Sequence, residues 1–176
     1  MGISAQDRAR KIRLLLLDVD GVQTDRGIYL GADGAPLRRF DVRDGTGVSV
    51  ALDAGLKVAF VSGKGSPAMR SRAEELGVKD VYENLQNKLV AYEELKGKYG
   101  LADEEVAYLA DDVIDLSVLR RVGLPMAVAD AASEVLAAAV RVTIRPGGHG
   151  AVREAIEFIL RAQDRWDRAL QARYGL

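Results

Sequence analysis

Five short apolar runs constrain this chain more than any other feature: LLLLD (14–18), VAFVS (58–62), VAYLA (106–110), PMAVA (125–129) and VTI (142–144). A shorter candidate lies at DVYE (80–83). The runs are apolar at both alternate positions, which predicts strands covered on both faces. Amphipathic stretches fill the intervals, roughly 46–54, 66–76, 88–99, 114–122, 133–139 and 150–172. Alternation on this scale predicts an α/β fold with a doubly wound, Rossmann-like parallel sheet. One segment breaks the alternation. GIYLGADGAPLRRFDV (27–42) has two strand-like runs around Asp33-Gly34, which favours a tight turn, and Pro36, which resists helix. It predicts a small β-hairpin inserted after the first strand. The Arg-rich tail EFILRAQDRWDRALQARY reads as an amphipathic helix on the surface. With 176 residues and no repeat, the chain reads as one domain, 1–176, with the hairpin at about 27–42 and a helical tail at about 150–176.

Composition excludes several classes of function. Twenty-five basic and 26 acidic residues give a net charge of −1, so nothing attracts the chain generally to nucleic acid or to an anionic membrane. It has no cysteine and a single histidine, His149. Disulfides, thiolate catalysis and cysteine- or multi-histidine metal sites are therefore excluded. No apolar run approaches the roughly 20 residues that span a bilayer. MGISAQDRARK lacks an apolar signal core, and Gln6 breaks the myristoylation pattern at Gly2. A cytoplasmic protein is expected.

In a doubly wound sheet, ligands bind beyond the carboxyl ends of the strands. The residues at those ends form a set. The first strand ends in Asp18-Val19-Asp20-Gly21, VAFVS in Ser62-Gly63-Lys64, and VAYLA in Asp111-Asp112 with Asp115 three residues on, while Lys88 opens a helix between the last two. These groups suit phosphoryl transfer. Asp18 and Asp111 can hold a hard cation such as Mg²⁺, which takes oxygen ligands. A carboxylate can act as nucleophile and form an aspartyl-phosphate. Asp20 can protonate the leaving oxygen and later activate water. Ser62 can donate to a phosphoryl oxygen and Lys88 can stabilise the transferring charge. Gly21 permits a sharp turn beside the phosphate. Alone, each piece has a plainer use: a carboxylate pair often caps a helix, and a lysine is usually solvated. The ordered set, with each member at the end of its own element, is far more specific.

With these residues the chain resembles the haloacid dehalogenase superfamily of phosphotransferases, whose four motifs match DVDGV, Ser62, Lys88 and DDVID. Within it, DVDGVQTDRGIYLGADG, FDVRDGTGV, NLQNKL, VAYLADDVIDLSVLRRVGLPMAVADA and GGHGAVREAIEFIL are similar to the phosphatases of 3-deoxy-D-manno-octulosonate 8-phosphate, in one register over roughly residues 12–160. The resemblance implies Mg²⁺ held by Asp18, the Asp20 backbone carbonyl and Asp111. It also implies Asp18 as nucleophile, Asp20 as acid and base, and Asp112 and Asp115 supporting the metal and Lys88. It places the chain in lipopolysaccharide biosynthesis. There are two departures. Ser62-Gly63-Lys64 stands where the family usually has Thr-Gly-Arg, and Ala110-Asp111-Asp112 where it has Gly-Asp-Asp. Lysine keeps the charge but loses the bidentate fork, which leaves the sugar open to a nine-carbon sugar-acid 9-phosphate.

Superfamily members usually carry a cap domain, and neither gap in this chain is long enough for one. The resemblance implies a homotetramer whose hairpins join centrally, so that a neighbour completes each site and the hairpin edge is covered. Lys64, Arg43 and Arg72 are the candidate substrate-binding residues, Arg72 across an interface. Asp44, beside Arg43, either faces the substrate or caps the next helix. Gly147, Gly148 and His149 are candidates for gating. A signalling receiver is disfavoured because VAFVS ends in Ser where the phosphorylated Asp would stand. A non-catalytic oligomerisation module is disfavoured by the complete four-part set. GKGS is not a nucleotide-binding loop, since it lacks the leading glycine and the closing hydroxyl.

Overall fold

A computed structural model of the protein describes residues 2–176. In chain order the elements are α1 (Ala5–Ala9), β1 (Leu14–Leu17), β2 (Tyr29–Leu30), β3 (Pro36–Leu37), α2 (Val42–Asp53), β4 (Lys57–Val61), α3 (Pro67–Leu76), β5 (Asp80–Tyr82), α4 (Leu89–Tyr99), β6 (Val106–Ala110), α5 (Leu116–Leu119), β7 (Leu124–Ala127), α6 (Ser133–Ala138), β8 (Arg141–Val142), α7 (Ala151–Ala162) and α8 (Trp166–Tyr174). Six strands form a parallel sheet in the order β5-β4-β1-β6-β7-β8, and β2 and β3 form a separate antiparallel hairpin.

The all-leucine β1 is fully buried at the centre of the sheet, as a strand without a wet face must be. Its register sets the site. Leu17 pairs with Phe60 of β4 and with Leu109 of β6, and β4 and β6 each run one residue past β1, so Asp18, Ser62 and Asp111 leave neighbouring strands at the same edge of the sheet. The chain builds outward from β1 through β4 to β5, then crosses to β6, β7 and β8 on the other side of β1. The crossover helices α2 and α3 share one face with the terminal helices α1, α7 and α8, and α4, α5 and α6 lie together on the other. The reversal opens a crevice at the end of β1.

Several boundaries differ from expectation for identifiable reasons. The helix expected from residue 46 starts at Val42, because the Asp41 carboxylate accepts the Arg43 N–H at 2.7 Å and caps it there. The stretch expected as a helix over 114–122 is a 3₁₀ turn, Val113–Asp115, followed by the four-residue α5. The last strand stops at Val142, since Glu154 takes the Ile144 N–H. The tail is two helices broken at Asp164, whose φ is +54°. It is not merely a surface helix: α7 buries Val152, Ile156, Ile159 and Leu160 and packs on α2 and α1, and Trp166 at the start of α8 is buried. Helix α1, capped by Ser4, is not among the elements expected from the sequence; Gln163 of the tail donates to the carbonyls of Ala9, its last residue, and of Ile12 beyond it.

Asp44 joins α2 to α7. Its carboxylate accepts the Arg153 N–H at 2.8 Å and the Gly150 N–H at 3.2 Å, so it serves the N-terminus of α7. Burial pushes its pKa up to about 6 despite those bonds. A carboxyl raised in the folded state binds its proton more tightly there than in the unfolded chain. The stability it contributes is therefore full below about pH 4 and is lost as pH rises through about 6. Urea unfolding should show the stability advantage of wild type over Asp44→Asn shrinking by about 2–3 kcal/mol between about pH 4 and about pH 7. A pH-independent difference would contradict this account of Asp44.

Candidate active site

The loop after β1 turns at once. Gly21 adopts φ +98°, and a Cβ there would lie 1.9 Å from Asp111 Oδ2, so no other residue fits between the two acidic segments. Gln23 is buried and donates to the Asp18 carbonyl at 3.1 Å, fixing the loop from below. Gly147, on the 145–150 loop, packs against the same turn: a Cβ there would lie 1.8 Å from the Gly21 carbonyl oxygen. Gly148 donates to Val22 O at 2.9 Å, while His149 is exposed.

Lys88 lies at the centre. Its Nζ is 2.6 Å from Asp18 Oδ1, 2.6 Å from Asp115 Oδ1 and 3.2 Å from the Tyr108 hydroxyl. Burial alone would lower the lysine pKa, but the Asp18 and Asp115 charges outweigh it and the net shift is upward. For Asp18 the balance goes the other way. Burial, reinforced by the charge of Asp115, pushes its carboxyl well above the usual range, and Lys88 opposes only in part. Asp111 is likewise raised by burial, with an Arg26 hydrogen bond acting against it. These are carboxylates short of positive charge.

The donor set fits a hard cation. One carboxylate oxygen from each of Asp18, Asp111 and Asp115 falls within a cluster 4.8 Å across. The three are not equivalent. Asp115 is saturated: Oδ1 accepts from Lys88 and from Tyr108 at 2.6 Å, and Oδ2 accepts the Asp111 and Asp112 N–H groups at 3.4 Å. Asp111 Oδ1, by contrast, is buried and has no partner. A buried carboxylate oxygen without a donor is costly, and a cation resolves it. This asymmetry leaves Asp111 with a free oxygen that could take a cation, while Asp115 has none to spare. Asp112 caps the 3₁₀ turn through the Val113 N–H.

Asp18, Asp20, Ser62, Lys64, Lys88, Asp111 and Asp112 line one cleft of about 420 Å³. The Ser62 hydroxyl is buried; it donates to Lys64 O at 2.9 Å and accepts Lys64 N–H at 3.1 Å, so it is turned into its own loop. Lys64 is exposed at the mouth. The other two candidates lie elsewhere within the chain. Arg43 pairs with Asp41 at 2.7 Å and donates to the His149 carbonyl, and Arg72 pairs with Glu75 and stacks on Phe40.

Three site residues were not singled out from the sequence. Arg26, with φ +63°, donates from Nε to Asp111 Oδ2 at 2.7 Å. Arg38 grips Asp20 with a two-pronged fork. Tyr108 is the one hydroxyl within the apolar β6, and that was a readable signal. The two arginines gave none, because their place depends on how the hairpin folds back.

The chain matches the model of the haloacid dehalogenase-like hydrolases over residues 77–156. A 3-deoxy-D-manno-octulosonate 8-phosphate phosphatase of Escherichia coli is 44% identical over 162 residues, 92% of this chain and 86% of its own. The crystal structure of the phosphatase of that name from Yersinia pestis superposes with a TM-score of 0.91 at 44% identity, covering 93% of this chain and 88% of that one. That from Moraxella catarrhalis, described in complex with a magnesium ion, a phosphate ion and a KDO molecule, superposes with a TM-score of 0.92 at 32% identity, covering 96% and 97%.

Proposed function

We propose that this chain, which belongs to the haloacid dehalogenase-like hydrolases and within them to the 3-deoxy-D-manno-octulosonate 8-phosphate phosphatases, is a Mg²⁺-dependent phosphomonoesterase that releases phosphate from that sugar-acid phosphate. The observation that carries the reading is the cleft in which Asp18 and Asp20 from the loop after β1, Ser62 after β4, Lys88 before α4 and Asp111 after β6 face one space. Its size suits a sugar acid better than phosphate alone.

Asp18 is the nucleophile. Its carboxylate attacks phosphorus, the bond from phosphorus to the sugar oxygen breaks, and Asp20 gives that oxygen a proton. Water then attacks the aspartyl-phosphate, Asp20 takes a proton from it, and phosphate leaves with Asp18 restored. Lys88 holds the Asp18 carboxylate in place and offsets charge on the phosphoryl group. Ser62 donates to a phosphoryl oxygen after giving up its bond to the Lys64 carbonyl. Lys64, at the mouth, supplies a point charge for the sugar carboxylate. Asp18, the Asp20 carbonyl and Asp111 would hold Mg²⁺, with Asp112 and Asp115 behind them. Bound there, the cation offsets the repulsion among the carboxylates and the incoming phosphate.

The reading includes a homotetramer assembled through the hairpin, working in the cytoplasm on a lipopolysaccharide precursor. Ile28, Tyr29, Leu30 and Leu37 are exposed on the hairpin, and a two-stranded hairpin is marginal alone in water. Pairing with copies of itself would cover these side chains and close the edges. A neighbour would also supply the wall that a cap domain provides elsewhere, with Arg72 reaching the substrate across the interface.

Two measurements test this. Phosphate release from 3-deoxy-D-manno-octulosonate 8-phosphate, compared with other sugar-acid phosphates, sugar phosphates and nucleotides, should favour the first, stop in chelator and vanish in Asp18→Asn. Full turnover after exhaustive metal removal, or near-normal release by Asp18→Asn, would sink the mechanism. Light scattering should give a tetramer for the wild-type chain, and paired Ile28→Glu and Leu30→Glu substitutions should give smaller species with much reduced turnover. A fully active monomer would rule out the shared site.

A further inference from the structure

Asp20 stands in a loop rather than on a strand, and 43% of its side chain is exposed. A carboxylate so placed would ordinarily turn freely about its side-chain bonds. Here it is gripped. Arg38 donates from Nε to Asp20 Oδ1 at 2.8 Å and from Nη2 to Oδ2 at 2.9 Å. Each oxygen has one donor, and the planar fork matches the planar carboxylate, so the plane of the carboxyl group is set as well as its position. Among the described residues no other side chain bonds Asp20. The nearby cation on the hairpin stem, Arg26, is engaged with Asp111 and Asp130.

The grip has an unusual origin. Arg38 directly follows β3, and its neighbours Leu37 and Arg39 are exposed, yet only 9% of the Arg38 side chain is. The end of the hairpin runs along the surface while this one side chain turns into the recess that it shares with Asp20, Lys64 and Asp111. An arginine needed only to anchor the hairpin could have met any surface carboxylate. This one meets the carboxylate that faces the leaving group.

We propose that Arg38 is a positioning residue: it holds the Asp20 carboxyl group in the orientation from which Asp20 passes a proton to the departing sugar oxygen and later takes one from water. The inference rests on the assignment of Asp20 made above and extends it, because it makes a hairpin residue part of the proton-transfer step. Arg38 need not touch the substrate. Its effect is carried entirely by where it keeps Asp20.

Such a role has a signature that mere structural support lacks. A sugar alkoxide is a poor leaving group and needs its proton, whereas p-nitrophenolate leaves without one. The ratio kcat/KM reports the first phosphoryl transfer and so reads this step. Arg38→Ala should lower kcat/KM on the sugar-acid phosphate by about 10- to 100-fold, less than the roughly 10²–10⁴-fold expected when a general acid is lost outright, and on p-nitrophenyl phosphate by less than about 3-fold. Arg38→Lys, which keeps the charge and loses the fork, should fall between wild type and Arg38→Ala and guards against a variant that fails to fold. Combining Arg38→Ala with Asp20→Asn should be no slower on the sugar-acid phosphate than Asp20→Asn alone. Equal losses on both esters, or losses that multiply in the double variant, would overturn the proposal while Asp20→Asn remained selective for the poor leaving group. An Asp20→Asn variant equally slow on both esters would overturn the assignment of Asp20, and the proposal with it.

Discussion

The Lys88 ammonium lies between Asp18 and Asp115, 2.6 Å from each, with 2% of its side chain exposed. Taking an ion of that size out of water costs several kcal/mol, and so does each of its partners. None of the three could be buried alone. Asp18 ends β1, Asp115 closes the 3₁₀ turn after β6, and Lys88 opens α4 after β5. The site therefore exists only when three separate crossovers have packed correctly, and a misplaced strand would leave an uncompensated buried charge. One ammonium cannot neutralise three neighbouring carboxylates. What remains is a pocket whose buried Asp111 oxygen still lacks a partner, which is the electrostatic condition for holding a cation and receiving a phosphate.

The second layer of the site comes from the segment between β1 and α2. Arg26 takes one oxygen of Asp111 and leaves the other facing inward, and Arg38 takes both oxygens of Asp20. The hairpin is thus more than an appendage with an exposed apolar surface. Arg26 at its stem holds the buried Asp111, and Arg38 at its far end holds Asp20. Whatever steadies the hairpin also steadies Asp20.

The six-stranded sheet was legible because the period of its apolar runs and their lengths leave little choice, and the catalytic candidates were legible because they stand where those runs end. Lys88 could be read only as a lysine opening a helix; its burial between two carboxylates emerges from tertiary packing. Arg26 and Arg38 were not legible, since no periodicity tells where a hairpin arginine will turn. The same holds for the break at Asp164, where a left-handed residue redirects the tail so that Trp166 reaches the core. The early start of α2 was readable in principle from Asp41 as a capping residue, but the strand-like run before it masked the signal.

In the proposed mechanism the buried ion cluster presents Asp18 to phosphorus. Mass spectrometry of wild-type protein quenched in acid during turnover tests it directly. The account predicts a phosphoryl adduct on the peptide that contains Asp18, located on that side chain, which disappears when substrate is exhausted. An adduct on another residue, or turnover with no adduct on any peptide under conditions that preserve acyl phosphates, would contradict it.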